Sequence, residues 1–175
     1  MTASHTITDS PAGRLTLVAD EGKLIGVYFP HHWHRPDPAA FGPRDDTGFD
    51  AARTQLAEYF AGQRERFDLP AEPRGAAFQV KVWELIEDIG YGRTATYGDL
   101  ARVLGPGVTP KDVGAAVGRN PLSIVIPCHR VVGKDGKLTG YAGGLARKRF
   151  LLDLEAAAAG TSQALFALAA SHSAD

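Results

Sequence analysis

The chain has 175 residues, of which 44% are hydrophobic, a formal net charge of -1 and a single cysteine. This length allows one domain of usual size, or two small ones that share an interface, and it is sufficient to bury a core. One cysteine excludes an internal disulfide, and we find neither a signal-peptide stretch nor a transmembrane run, so we expect a cytoplasmic protein.

Short alternating and β-branched runs near the start of the chain predict an antiparallel β-meander. The runs lie within residues 3–9, in RLTLVAD and in KLIGVYF, and the turn sequences SPAG and DEGK separate them. A loop rich in Pro, Gly and Asp follows, and apolar spacing then predicts a helix over residues 49–63. We expect residues 1–72 to form a small α/β domain, with 69–75 as the linker.

The loop contains the stretch HHWH, whose three histidines suggest a metal site. Its histidines lack the ligand spacing and the supporting hydrogen-bond partners of a zinc or copper site, and no cysteine lies nearby. We therefore predict a plain surface loop here and no metal.

Most of the chain after the linker is predicted to be helical. A first helix is predicted by apolar residues at 78, 82, 85, 86 and 89, with Gly90 as its stop. Two short helices follow, and each opens on a threonine cap with an aspartate three residues later: Thr96 with Asp99, and Thr109 with Asp112. The Gly-Pro-Gly turn at 105–107 lies between them.

Two helices joined in this way are compatible with a helix-turn-helix, whose second helix would enter a DNA groove. Lys111 and Arg119 lie on and beyond that second helix. The pattern alone is not specific, because many helical hairpins share it.

The charges are unevenly placed along the chain. Residues 93–150 contain ten Lys/Arg against three Asp, whereas the remainder contains nine Lys/Arg against 17 Asp/Glu. Such asymmetry is expected of a protein that meets phosphate on one side only. The alternative is a solvated surface with chance clustering.

The only cysteine lies in IVIPCHRVVG, residues 124–133. Asn120 precedes a proline and so is expected to end the second helix, and the apolar run LSIVIP then predicts a buried extended segment that delivers Cys128. His129 and Arg130 follow directly, and both groups can favour a thiolate.

The last helical pattern, LARKRFLLDLE, places Glu155 on the apolar side of its helix, near Leu151 and Leu152. A carboxylate there needs a partner, and His129 is the candidate. A cysteine, a histidine and a glutamate together supply a nucleophile, a base and an orienting group. The same set fits a thiol hydrolase equally well, and a cysteine packed in a strand beside a surface histidine is the alternative without chemistry.

The stretch NPLSIVIPCHRVVGKDGKLTGYAGGLARKRFLLDLE, residues 120–155, closely resembles the active-site region of the O6-alkylguanine-DNA alkyltransferases, also called methylated-DNA-protein-cysteine methyltransferases. The family hallmark Pro-Cys-His-Arg-Val is present as residues 127–131. The resemblance covers about residues 75–156, whereas the β unit matches only loosely in its order of elements. It implies an α+β fold, in which a small N-terminal α/β unit precedes a mostly helical winged helix-turn-helix domain over 73–158 and a C-terminal tail over 159–175.

The resemblance also implies roles for individual residues. Cys128 matches the alkyl acceptor, His129 its water-linked base and Glu155 the carboxylate that orients the histidine. Asn120 matches the asparagine that braces the active-site turn. Tyr97 matches the tyrosine that helps to rotate the DNA phosphate and to protonate the departing guanine.

The base pocket and the DNA surface follow from the same resemblance. Its glycine-rich wall is GYAGG, with Tyr141 as the stacking ring and the backbone of Val131 at the base edge. The substrate-binding residues implied are Gly140, Tyr141, Ala142, Gly143, Val131 and Val117. The DNA-binding residues implied are Thr96, Lys111, Ala115, Arg119 and Arg130. Lys111 departs from the family, which usually has an arginine there to fill the space left by the flipped base.

The implied activity is repair of O6-alkylguanine, and of O4-alkylthymine, in double-stranded DNA. The base is flipped out, and its alkyl group moves irreversibly to Cys128. Sulfur attacks a saturated carbon, so no oxyanion hole is needed, and the stable thioether limits each molecule to one turnover. We expect no cofactor, no metal and no membrane partner, and a monomer whose clustering on DNA is left open.

Three alternatives stay open from the sequence. A thiol hydrolase would turn over, a helix-turn-helix regulator would prefer one DNA sequence, and a relative that recognises alkylated bases without repairing them would lack the cysteine.

Overall fold

The N-terminal part of the chain is a three-stranded antiparallel sheet in the order β1-β2-β3, as the alternating pattern predicts. A computed structural model describes residues 2–172, with side chains as far as residue 160. The strands are β1 (Ser4–Thr8), β2 (Leu15–Asp20) and β3 (Lys23–Tyr28). Leu15, Leu17 and Val27 on the inner face are fully buried, because alternate residues of a strand point to the same side.

A short 3-10 helix (Pro38–Phe41) and helix α1 (Asp50–Phe60) complete this unit. Helix α1 is shorter than the predicted 49–63, and its buried side chains, Ala52, Leu56 and Tyr59, join the core. The 49–63 pattern therefore predicted the helix but not its ends.

The second part is mostly helical, with α2 (Ala77–Glu87), α3 (Tyr97–Leu104) and α4 (Pro110–Val117). Both predicted capping boxes are present: the amide of Asp99 donates to Oγ1 of Thr96 at 3.0 Å, and that of Asp112 to Oγ1 of Thr109 at 3.1 Å. Helix α2 ends at Glu87, three residues before the predicted stop at Gly90.

The remaining elements frame the cysteine. Strand β4 (Ala95–Thr96) pairs in parallel with β5 (Val131–Val132), and helix α5 (Leu145–His172) closes the described chain. Short 3-10 turns span Cys128–Arg130 and Lys134–Gly136. The predicted tail, 159–175, thus continues α5 as far as His172, and its last three residues lie outside the described part.

The two parts share one hydrophobic core, with buried side chains from the sheet, from α1 and from every helix of the second part. The α+β fold class is confirmed. The boundary at 72/73 stays a prediction, because the core is continuous across it. Within residues 2–172, no helix is long and apolar enough to cross a membrane.

Candidate active site

The segment before the cysteine is a tight turn, and the predicted extended segment is wrong. Helix α4 ends at Val117 rather than at Asn120, and Ile124 has a φ of 73°, which a β-branched residue rarely adopts. Pro127, at φ -79° and ψ 62°, is the centre of an inverse γ-turn, in which the Cys128 amide donates to the carbonyl of Ile126 at 2.7 Å. The apolar run is therefore buried as a folded loop and not as a strand.

Asn120 holds this turn together, as the resemblance implies. Its Nδ2 donates to the carbonyl of Ile126 at 2.9 Å, and its Oδ1 accepts from the amide of Leu122 at 2.9 Å. Asn120 is itself buried, so both bonds are shielded from water. Backbone strain at Ile124 persists only where the surroundings fix it, and these bonds provide that constraint.

His129 and Glu155 form a buried pair, with 2.6 Å between Nε2 of the histidine and Oε2 of the glutamate. A carboxylate can only accept, so Nε2 carries the proton and Nδ1 presents a lone pair. Burial lowers the pKa of His129, although the hydrogen bond and the charge of Glu155 act in the opposite direction. The imidazole is therefore neutral at pH 7 and able to accept a proton.

Arg130 lies in the interior, which corrects its assignment as a DNA contact. It is 6% exposed, and its Nε donates to Oε1 of Glu155 at 2.7 Å while its Nη1 donates to the carbonyl of Ile89 at 2.7 Å. With these bonds made inside the protein, the guanidinium cannot reach a phosphate on the surface. Arg130 instead balances the charge of Glu155.

Tyr59 of helix α1 also reaches this carboxylate, because its hydroxyl donates to Oε2 of Glu155 at 2.5 Å. Burial by itself would raise the pKa of Glu155, but the hydrogen bonds from His129 and Arg130 and the charge of Arg130 outweigh it and lower that pKa to about 2. Glu155 is thus ionised at neutral pH and fully engaged by its neighbours.

Lys148 is a second buried cation. Its Nζ donates to the carbonyl of Val131 at 2.5 Å and to that of Gly140 at 2.9 Å, and it lies 5.9 Å from the centre of the Tyr97 ring. Burial lowers the pKa of Lys148 to about 8, against the opposing effect of a Cys128 thiolate. Lys148 and Arg130 are two of the ten basic residues of 93–150, so the basic surface is smaller than the sequence predicts.

The cysteine itself is 2% exposed. Burial raises the pKa of the Cys128 thiol, whereas the amide of Asn120 and the charge of Lys148 act to lower it. The resting thiol is therefore protonated, and a base such as His129 is needed to form the nucleophile.

A small cavity of about 70 Å³ adjoins the thiol. Six of its lining residues were predicted: Tyr97, Val117, Cys128, Gly140, Tyr141 and Ala142. Three were not: Trp33, Gly114 and Gly118. Val131 and Gly143, also predicted, lie behind this lining: the carbonyl of Val131 binds Lys148, and a Cβ at Gly143 would come within 2.6 Å of the Phe29 ring.

The predicted DNA-binding residues on α4 and just beyond its end share an exposed face. Lys111, Ala115 and Arg119 are spaced four residues apart, and all three are exposed. Thr96 is half-buried, and its hydroxyl caps α3 by accepting from the amide of Asp99. Among the described residues we find no group of His, Cys, Asp and Glu arranged to hold a metal.

Two family profiles match almost the whole chain. The description "6-O-methylguanine DNA methyltransferase, ribonuclease-like domain" matches residues 4–73, and "6-O-methylguanine DNA methyltransferase, DNA binding domain" matches residues 77–157. The chain belongs to this family. The described cysteine, histidine and glutamate all lie in the second matched segment or at its end.

Similar proteins agree with this membership. The chain is 41% identical over 152 residues to a methylated-DNA--protein-cysteine methyltransferase of Haemophilus influenzae, covering 86% of this chain and 85% of that one. It is 42% identical over 158 residues to one of Mycobacterium tuberculosis, covering 90% and 95%. The M. tuberculosis OGT crystallised in complex with DNA is similar in structure, with a TM-score of 0.83, 41% identity, and coverage of 89% and 94%.

Besides Gly114 and Gly118, three residues at the site were not predicted from the sequence: Tyr59, Lys148 and Trp33. A signal existed for Lys148, which lies three, four and seven residues before Leu151, Leu152 and Glu155 and so shares their helix face. No sequence signal linked Tyr59 or Trp33 to the site. Both belong to the N-terminal part of the chain, and only the folding of the two parts against each other brings them to the site.

Proposed function

We propose that this member of the family repairs O6-alkylguanine in double-stranded DNA by moving the alkyl group to Cys128. The observation that carries the proposal is the single cysteine, buried beside a neutral His129 and facing a pocket. The matched DNA-binding domain and the DNA complex of the M. tuberculosis relative support DNA as the partner.

The chemistry is a displacement at a saturated carbon. The thiol proton passes to His129, whose lone pair at Nδ1 faces no bonding partner among the described residues. The sulfur forms a bond to the alkyl carbon while the bond from that carbon to O6 breaks, and the guanine leaves with a proton in place of the alkyl group. Tyr97 can donate that proton, because it lines the pocket and because burial raises the pKa of its phenol, which keeps the hydroxyl protonated at neutral pH.

The burial of Cys128 supports base flipping. The thiol of a residue that is 2% exposed cannot reach an atom inside a stacked duplex, so the base has to enter the protein. Flipping the base out of the duplex costs a few kcal/mol, and the cost is lower for a base pair that alkylation has weakened. The exposed face of α4 is the surface that would meet the duplex.

The product explains the use of one cysteine. A thioether is stable towards His129 and water, so each molecule is consumed by one transfer. The bonds of Glu155 to His129 and Tyr59 are complete without a second subunit, and we propose action as a monomer. A thiol that must stay reduced supports a cytoplasmic location.

The test is mass spectrometry of the protein after mixing with excess O6-methylguanine DNA. We expect one methyl-sized mass increase, on the Cys128 peptide, and no further turnover; O4-methylthymine DNA tests the second substrate in the same way. Product beyond one equivalent, or repeated hydrolysis of an ester or amide, would identify a thiol hydrolase. Strong preference for one undamaged DNA sequence would identify a regulator.

A further inference from the structure

The loop HHWH, which the site chemistry does not use, has a defined fold. His31 and His34 have φ values of 56° and 57°, a region that residues other than glycine seldom adopt. Between them, His32 is buried, and its Nδ1 accepts from the amide of Phe29 at 3.3 Å. Its ring lies parallel to that of Phe29, at 13° and 6.2 Å. His32 thus anchors the loop. The positive φ values of His31 and His34 reverse the chain direction before His32 and after Trp33.

Trp33 lies at the pocket that contains the thiol. Its amide donates to the carbonyl of Ala142 at 2.9 Å, which fastens the loop to the glycine-rich wall. Its indole lies beside Gly140, where a Cβ would come 3.7 Å from the ring. The same indole lines the cavity together with Cys128, yet 54% of the residue is exposed. An aromatic side chain of the N-terminal part therefore covers the base pocket of the second part.

The size of the cavity shows that a wall has to move. Its volume of about 70 Å³ is about twice the liquid volume of one water, roughly 30 Å³, and well below the roughly 300 Å³ at which ligand pockets begin. A guanine with its alkyl group cannot fit without displacement.

The other walls are held in place. Val117 and Gly118 belong to the end of α4, Tyr97 to α3, and Tyr141 is buried. Trp33 alone among the lining side chains is mostly exposed and lies outside any helix or strand.

We propose that Trp33 is a substrate-binding residue, which moves aside to admit the alkylated base and then contacts its ring. The inference rests on the proposed function, since it assigns a residue to the same pocket. An indole is well suited to this role, because every base offers a π-face and stacking on an aromatic side chain contributes strongly to base binding. Trp33 acts on binding and not on the chemical step, as its side chain carries no group that could move a proton at the thiol.

The experiment follows benzyl transfer from free O6-benzylguanine to Cys128 by mass spectrometry, as a function of its concentration. We expect Trp33→Ala to raise the half-saturating concentration about tenfold and to change the maximal rate little, the range expected for a lost stacking contact. Trp33→Phe retains a ring and should stay within about threefold of wild type. Phe150→Ala is the control, an exposed aromatic on α5 outside the pocket lining.

Fluorescence gives a second readout that does not depend on Trp33→Ala folding. The chain has two tryptophans, and Trp83 is buried with its Nε1 donating to the carbonyl of Ala116 at 2.9 Å. In a Cys128→Ser protein, binding of O6-benzylguanine should quench the red-shifted fluorescence of the solvent-exposed Trp33. Adding Trp33→Phe to this protein should abolish the quenching.

The outcomes separate the two proposals. Wild type that takes up no benzyl group from the free base and no methyl group from DNA contradicts the proposed function, and the role of Trp33 falls with it. Wild type that reacts, with Trp33→Ala unchanged in both parameters or lowered only in maximal rate, overturns the role of Trp33 alone. Quenching that persists in the Trp33→Phe background would also overturn it.

Discussion

The carboxylate of Glu155 binds more side chains than the one histidine that it orients. It accepts from His129, from Arg130 and from Tyr59, so its two oxygens bind three side chains, two from the 3-10 turn at the cysteine and one from helix α1. The positive charge of Arg130 balances the carboxylate, which leaves His129 free to remain neutral. A buried carboxylate without these partners would be too costly to keep ionised. The chemistry at Cys128 therefore depends on a network and not on a pair.

Glu155→Gln should slow transfer without abolishing DNA binding. The amide cannot stabilise a protonated His129 as a carboxylate does, so we expect rates with free O6-benzylguanine and with alkylated DNA to fall together, by about tenfold or more. The exposed face of α4 is untouched. Single-turnover kinetics and a DNA-binding titration check both points, with Asp153→Asn, an exposed residue of the same helix, as the control. Unchanged rates for both substrates would remove Glu155 from the site.

Tyr59→Phe should destabilise the protein by about 1.5–3 kcal/mol, because it deletes a buried hydrogen bond to a charged group. Denaturant unfolding measures this change in free energy. Tyr91→Phe is a matched control, since the Tyr91 hydroxyl is buried and bonds to none of the described residues. Equal losses for the two variants would show that the contact with Glu155 contributes nothing.

At the scale of elements, the sequence correctly predicted the strands and helix starts that depend on residues close together in the chain. The meander follows from strand alternation, and α3 and α4 begin where Thr96 and Thr109 have an aspartate three residues on, since these bonds form within one turn of helix. The LSIVIP segment was predicted wrongly because hydrophobicity reports burial and not backbone conformation. Its turn depends on the positive φ of Ile124 and on the side chain of Asn120, and neither is visible in an apolar run.

The first turn of α4 presents Lys111 to solvent at the position where the family usually has an arginine. If Lys111 fills the space left by the flipped base, Lys111→Ala should slow repair of duplex DNA well beyond any loss of binding and leave the reaction with free O6-benzylguanine nearly unchanged. Lys111→Arg should match or exceed wild type, because a planar guanidinium stacks on bases and an ammonium does not.

A phosphate contact at Lys111 predicts a different result. Affinity for damaged and undamaged DNA would then fall equally, and the salt dependence would flatten by about one unit. Stopped-flow repair with a fluorescent reporter of base flipping separates the two. Wild-type flipping and repair by Lys111→Ala at saturating DNA would reject the filling role and turn attention to Arg119, which is exposed further along the same face.

At the scale of the whole molecule, residues of the N-terminal part contact the active-site residues of the second part directly. Arg147 of α5 donates to the carbonyl of Ala12 at 2.8 Å and lies over the ring of Phe29, and Tyr59 reaches Glu155 from α1. The hydrophobic core runs without interruption between the two parts. Unfolding should therefore be a single transition, in which the network around Glu155 and the N-terminal sheet are lost together.

This coupling makes the stability of the whole chain depend on the ionisation of one carboxyl group. The pKa of Glu155 is about 2 in the folded protein and about 4.5 in the unfolded chain. A carboxyl whose pKa is lowered by folding contributes its full stabilisation above the unfolded value and loses it as the pH falls towards the folded value. The contribution of Glu155 should therefore be complete above pH 4.5 and decline between pH 4.5 and pH 2, by about 3 kcal/mol in total.

Protonation of other carboxyl groups also destabilises the protein in acid. The contribution of Glu155 is therefore measured as the difference in unfolding free energy between wild type and Glu155→Gln. Hydrogen bonds from threonines lower the pKa of four aspartates at helix caps and in a loop, Asp45, Asp46, Asp99 and Asp112. These are shared by wild type and Glu155→Gln, and their effect cancels between the two. Denaturant unfolding of both proteins from pH 7 to pH 2 should give a difference in free energy that narrows as the pH falls from 4.5 to 2. Above pH 4.5 the difference changes only through His129, whose pKa Glu155 raises. A difference that stays constant throughout would mean that folding does not lower the pKa of Glu155, and that its bonds to Arg130 and His129 do not stabilise the charged form.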